Sequence, residues 1–129
     1  MDPQMILKTF NDHFMEFIDD VQLVFPNNDD IATVRESLVS FRKANPRLIL
    51  LTFRQSVIGR YRDEIMRGDI EFFVDKDYKQ DVGSVGSAQV ILEKIDCLRQ
   101  PIRDMTEQEQ EKVIKYLQNL TKLCEMYQQ

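Results

Sequence analysis

Apolar residues recur along this chain in alternating steps of three and four. Ile91, Ile95, Leu98, Ile102 and Met105 step by 4, 3, 4, 3, and Val113, Leu117, Leu120, Cys124 and Tyr127 repeat that interval. Such a spacing keeps side chains on one face of a 3.6-residue helix and scatters them over both faces of a strand. Ile6, Phe10, Phe14, Phe17, Val21 and Val24 follow the same rule, as do Ile31, Val34, Leu38 and Phe41. Only four Gly and four Pro punctuate 129 residues, too few for the turns of a many-stranded fold. The pattern predicts an all-α, single-domain antiparallel helical bundle over residues 1–129, with about five to six helices.

Local chemistry marks the helix ends. Pro3 suits a first turn and Pro26 lies just past the end of the first stripe. Asn28 or Asp29 can cap the second helix, and Asn45-Pro46 ends it, because the residue before proline is pushed out of the α region. Pro101 is expected to kink or break the helix carrying the Ile91–Met105 stripe. Thr106 and Glu109 form a capping-box pattern that opens the last helix.

The most apolar stretch begins at Pro46. Leu48, Ile49, Leu50, Leu51, Phe53, Val57 and Ile58 cover most of a helix circumference, which predicts a central, buried helix. Truncating Leu51 there to alanine is expected to cost roughly 2–5 kcal/mol. Arg47 and Arg54 lie seven residues apart on the remaining wet stripe, joined by Arg62 if the helix continues through Gly59. Ile70, Phe72 and Val74 alternate like a strand, while Ile70, Phe73 and Val74 fit a helical turn capped by Asp69, and with no second strand to pair with, a short helix is favoured. A flexible loop is expected near 79–87.

The chain is expected to be soluble, in a reducing compartment. Its first ten residues carry an Asp where a signal peptide carries Lys or Arg, and its longest uninterrupted apolar run is Leu48 to Leu51, far short of a membrane span. Cys97 and Cys124 both fall at apolar helix positions, where burial as small hydrophobes is favoured over a disulfide. With one histidine and no paired cysteines, zinc lacks ligands, and no cofactor is expected. The net charge of −5 is uneven. Residues 1–41 hold two basic and eight acidic residues, residues 42–67 hold seven basic and two acidic, and the remainder holds eight basic and twelve acidic. A basic island thus lies between acidic flanks.

No motif spells out a chemistry. Asp12, Glu16, Asp19 and Asp20 share one face of the first helix beside His13, but a di-iron bundle needs a Glu-x-x-His on each of two helices, so a solvated acidic face is the simpler reading. Asp75, Asp77, Lys79 and Asp81 are spaced like a calcium loop, yet Gln80 and Gly86 stand where an EF-hand needs Gly and Glu. The segment from Gly83 to Gln89 lacks the Lys of a phosphate loop. A pairing of His13 with either cysteine has no support beyond the residues existing. The chain is therefore expected not to be an enzyme, with no catalytic or metal-binding residues.

The arginines remain. Three uses compete for them: pairing with this chain's own carboxylates, docking an acidic protein, or neutralising phosphates of a nucleic acid. Candidate partner-binding residues are Arg47, Arg54, Arg60, Arg62 and Arg67, with internal pairing favoured for Arg47 and Arg54 and partner contact for Arg60, Arg62 and Arg67.

The strings FNDHFMEFIDDVQLVFP (10–26), RKANPRLIL (42–50), GDIEFFVDKDY (68–78) and YLQNLTKL (116–123) resemble small helical proteins encoded by large double-stranded DNA viruses of algae and protists. That resemblance implies a virion-associated or minor capsid structural protein, located in the virion or host cytoplasm, whose partners are capsid proteins or further copies of itself. It carries no active-site residues. The expectation is a non-catalytic protein-protein interaction module; the alternative is a regulatory adaptor or nucleic-acid-associated factor acting through residues 42–67.

Overall fold

The computed structural model describes residues 2–71 and 87–127, and among them there are helices and no strands. α1 (Pro3–Val24) starts where Asp2 accepts a hydrogen bond from the Met5 amide at 2.9 Å, with proline in the first turn. α2 (Asp29–Ala44) is capped by Asn28, whose Oδ1 accepts from the amides of Asp30 and Ile31. Asp29 and Asp30 in its first turn and Arg42 and Lys43 in its last match the helix dipole. Asn45 ends it in an extended conformation, as the following proline requires.

The apolar run forms a bent rod rather than one regular helix. α3 (Leu48–Thr52) passes into a π-helical segment, Phe53–Ile58, and then into α4 (Gly59–Arg67). The helix does continue through Gly59, but Tyr61 departs from helical geometry at φ −126° and bends the rod. Ile49, Leu50, Phe53 and Val57, at i, i+1, i+4 and i+8, share one face of the rod and are buried, whereas Leu48, Leu51 and Ile58 on its other side are only half-buried. The expectation of a helix apolar nearly all round is corrected in this respect. Gly68 ends α4 at φ +78°, and the Asp69 and Gly68 amides reach back to the carbonyls of Glu64 and Ile65 at 2.9 and 3.0 Å, a left-handed glycine cap.

Asp69 accepts from the Glu71 amide at 3.1 Å; the rest of the short helix expected after it, and the loop expected near 79–87 apart from Ser87, lie outside the described residues. Ser87, assigned to that loop, instead opens α5 (Ser87–Asp96). α6 (Arg99–Arg103) is a single turn containing Pro101, so the stripe from Ile91 to Met105 is broken before its proline. α7 (Glu107–Met126) opens with both halves of the capping box: Thr106 accepts from the Glu109 amide and Glu109 from the Thr106 amide.

α1 is the hub, packing chiefly on α7 and α2. Arg35 reaches Asp19 and Arg42 reaches Asp12, so α2 runs antiparallel to α1. The start of α1 lines one recess with Tyr127 and its end lines another with Met105, so α7 is antiparallel to it as well. Phe10, Phe14 and Phe17 make an edge-on aromatic cluster with Phe53, whose ring lies 5.7 Å from that of Phe10. Buried residues from every described element except the α6 termini join one core.

Candidate partner-binding surface

Much of the basic island is paired within the fold. Arg42 donates to Asp12 Oδ1 at 2.6 Å, and Lys8 holds the other oxygen of that carboxylate at 2.7 Å. Lys8 first, and Arg42 next, hold the Asp12 carboxyl below the usual carboxylate range. Arg54 reaches the carboxyl end of α7, where its guanidinium donates to the carbonyls of Cys124, at 2.8 Å, and Tyr127. It also lies over the Tyr127 ring, 5.5 Å from the centroid.

Arg62 donates to Glu125 Oε2 at 2.6 Å, and that carboxylate raises the Arg62 pKa. Arg67 approaches Glu64 at 3.8 Å. Arg60 is exposed. Arg54 and Arg62 thus meet the same end of α7, and Arg47 stands just before the first turn of α3. The bend at Tyr61 lies between Arg54 and Arg62 on the rod.

Arg47 is exposed, and its side chain makes no ion pair among the described residues. It stands on the lip of a cavity of about 420 Å³ between the start of α1, the α2–α3 elbow and the end of α7. Pro3, Leu7, Pro46 and Tyr127 supply its apolar walls, and Lys8 and Arg42 join Arg47 as cations. Asn11 lines it too. Although Asn11 is 2% exposed, only its Nδ2 is engaged, donating to the Pro46 carbonyl at 2.9 Å; its buried Oδ1 has no partner among the described residues.

The acidic face of α1 is largely paired. Asp12 and Asp19 meet Arg42 and Arg35, and Asp20 accepts a short hydrogen bond from the Tyr116 hydroxyl. Burial first, and Asp20 second, raise the Tyr116 pKa. His13 packs its ring 4.9 Å from that of Tyr116, with Nδ1 3.7 Å from Glu16. Cys124 lies elsewhere, buried, with its thiol donating toward the Leu50 carbonyl. Cys97 is exposed, correcting the expectation that both cysteines are buried. Cys97 lies between α5 and α6, about a third of a turn off the face that carries the buried Ile95 and Leu98.

Of the residues that line the cavity only Arg47 stands among the sequence-derived site candidates, and Asn11 and Tyr127 are two that do not. Asn11 has a local signal: a polar residue on a second ridge with Leu7, Phe14 and Ile18. Tyr127 has none, since its place at the cavity depends on the antiparallel approach of α7 to α1. Among the described residues no three His, Cys, Asp or Glu side chains gather around a common metal position, and no helix is long and apolar enough to cross a membrane. No protein family, curated protein or solved structure matches this chain.

Proposed function

We propose that this chain is a non-catalytic interaction module that docks an acidic protein segment in the cavity beneath Arg47. The observation that carries the reading is an exposed arginine, without an ion pair among the described residues, beside an apolar recess rimmed by two further cations. Asp12 partly neutralises Lys8 and Arg42, so Arg47 is the strongest cation facing the recess. The matching occupant is an apolar side chain flanked by carboxylates, which arginine can hold through two parallel hydrogen bonds. A nucleic acid is a poorer match. Arg42, Arg54, Arg62 and Arg67 already meet carboxylates or carbonyls of this chain, leaving little of the island to neutralise successive phosphates. The viral resemblance of the four strings supports a structural setting for this docking, in or beside a virus particle.

The test uses three probe classes in one binding assay: peptides with one Leu or Phe between Asp or Glu residues, matched Lys/Arg peptides, and single-stranded DNA. The acidic peptides are expected to bind, and Arg47→Glu to weaken them by about tenfold or more without shifting the melting temperature. Preference for the basic peptides, steeply salt-dependent preference for DNA, absence of acidic-peptide binding, or indifference to Arg47→Glu would each overturn the reading.

A further inference from the structure

Leu23 is 77% exposed, more than any other large apolar side chain among the described residues. It stands on the rim of a second recess, of about 180 Å³, at the opposite end of α1 from Arg47. The last turns of α1 and the first turns of α7 form this recess, with Phe17, Val21, Val24, Met105 and Val113 as its apolar lining. A cavity of about 150 Å³ accommodates a benzene-sized group, so this recess has room for one leucine side chain and not for a helix.

The rim carries both signs of charge. Lys112 is exposed and makes no ion pair among the described residues, while Asp20 and Glu109 present carboxylates beside it. Asp20 accepts from the Tyr116 hydroxyl and Glu109 from the Thr106 amide, and each carboxylate retains lone pairs for a further donor.

We infer that this end of α1 is a two-fold interface between two copies of the chain, each Leu23 entering the other copy's recess. A two-fold contact places the same patch on both sides, so the patch must complement itself. Here a protruding apolar side chain lies next to a recess of its size, and an unpaired cation lies next to two anions. Rotation about an axis through the patch sets Leu23 against the partner's recess and Lys112 against the partner's carboxylates. A partner of one charge sign would satisfy Lys112 or the carboxylates, not both. The inference is independent of the Arg47 cavity.

Sedimentation equilibrium of the full chain over a rising concentration series tests it. The average mass is expected to climb from 15.3 kDa toward twice that value. Leu23→Asp is expected to stay at the single-chain mass across the same series, with a melting temperature equal to that of wild type at the dilute end, because the side chain is exposed in the monomer. Leu23→Met keeps an apolar group of similar size and should associate as wild type, and Lys112→Glu should raise the dissociation constant. A wild-type chain that remains at 15.3 kDa throughout, or a Leu23→Asp chain that associates like wild type, would refute the interface.

Discussion

The guanidinium of Arg54 donates to the carbonyl oxygen of Cys124 at 2.8 Å, across seventy residues of chain. The final carbonyls of a helix have no partner within it, so a charged donor placed there from the middle of the chain closes the end of α7. The Tyr127 carbonyl and ring meet the same guanidinium. Arg54→Gln is expected to lower unfolding free energy by roughly 1.5–3 kcal/mol, the scale of hydrogen bonds to a charged group. Arg54→Lys should restore little of it, because a single ammonium cannot present the planar fork. Arg47→Gln, at an exposed position, should stay within about 0.5 kcal/mol of wild type. Urea denaturation of the three variants checks the ordering; equal losses at Arg47 and Arg54 would contradict the clamp.

Adjacent leucines on the bent rod separate in the same way. Leu50 is fully buried and Leu51 only half-buried. Leu50→Ala should therefore cost roughly 2–5 kcal/mol, with a cavity left behind, and Leu51→Ala about 1 kcal/mol. The larger loss expected at Leu51 on sequence grounds moves one residue back. A reversed order in chemical denaturation would mean that the rod is rotated about its axis.

Helix ends and simple stripes were legible because their causes are local. Asn28, the Asn45-Pro46 pair and the Thr106/Glu109 box act within a few residues of themselves. Val113, Leu117, Leu120, Cys124 and Tyr127 are all buried because nothing interrupts the period between them. The reading fails where apolar residues off the buried face are counted with it. Leu51 and Ile58 lie on the other side of the rod from Ile49, Leu50, Phe53 and Val57, and Cys97 lies off the face of Ile95 and Leu98. The bond between Arg62 and Glu125 and the recess under Arg47 were not legible. Both depend on which helices approach one another, and charge counting over a segment contains no such distances.

Acid should loosen the α1–α2 contact through Asp12. Its carboxyl titrates below the usual value of 3.8 because Lys8 and Arg42 bind the ionised form. A depressed native pKa contributes stability that is present above the unfolded pKa and lost as pH falls through the native one. The window is thus below about pH 4. The carboxylate side chain is 49% exposed, so solvent and salt weaken the contribution. Asp12→Asn should flatten the acid limb of the stability curve in that window, and high salt should narrow its difference from wild type. An acid limb identical in the two proteins at low salt would remove Asp12 from the account.

The two thiols should differ both in reactivity and in their effect at alkaline pH. Cys97 is exposed, whereas Cys124 is buried against Leu50, and burial pushes its thiol up to about 11 from the model-compound value of 9.0. Arg54 opposes that shift without overcoming it. A disulfide reagent should therefore modify one thiol quickly in the native protein, a phase that Cys97→Ser removes. The second should react at the rate of unfolding, since the thiolate is the nucleophile and the folded chain suppresses it. Between pH 9 and about 11 the unfolded chain has lost the Cys124 proton while the folded chain retains it. Stability should then fall by up to about 1.4 kcal/mol per pH unit, and Cys124→Ala should be less stable at neutral pH but lose less over that interval. Two equally fast thiols in the native protein, or an alkaline limb unchanged in Cys124→Ala, would show that the end of α7 opens far more readily than the Arg54 clamp permits.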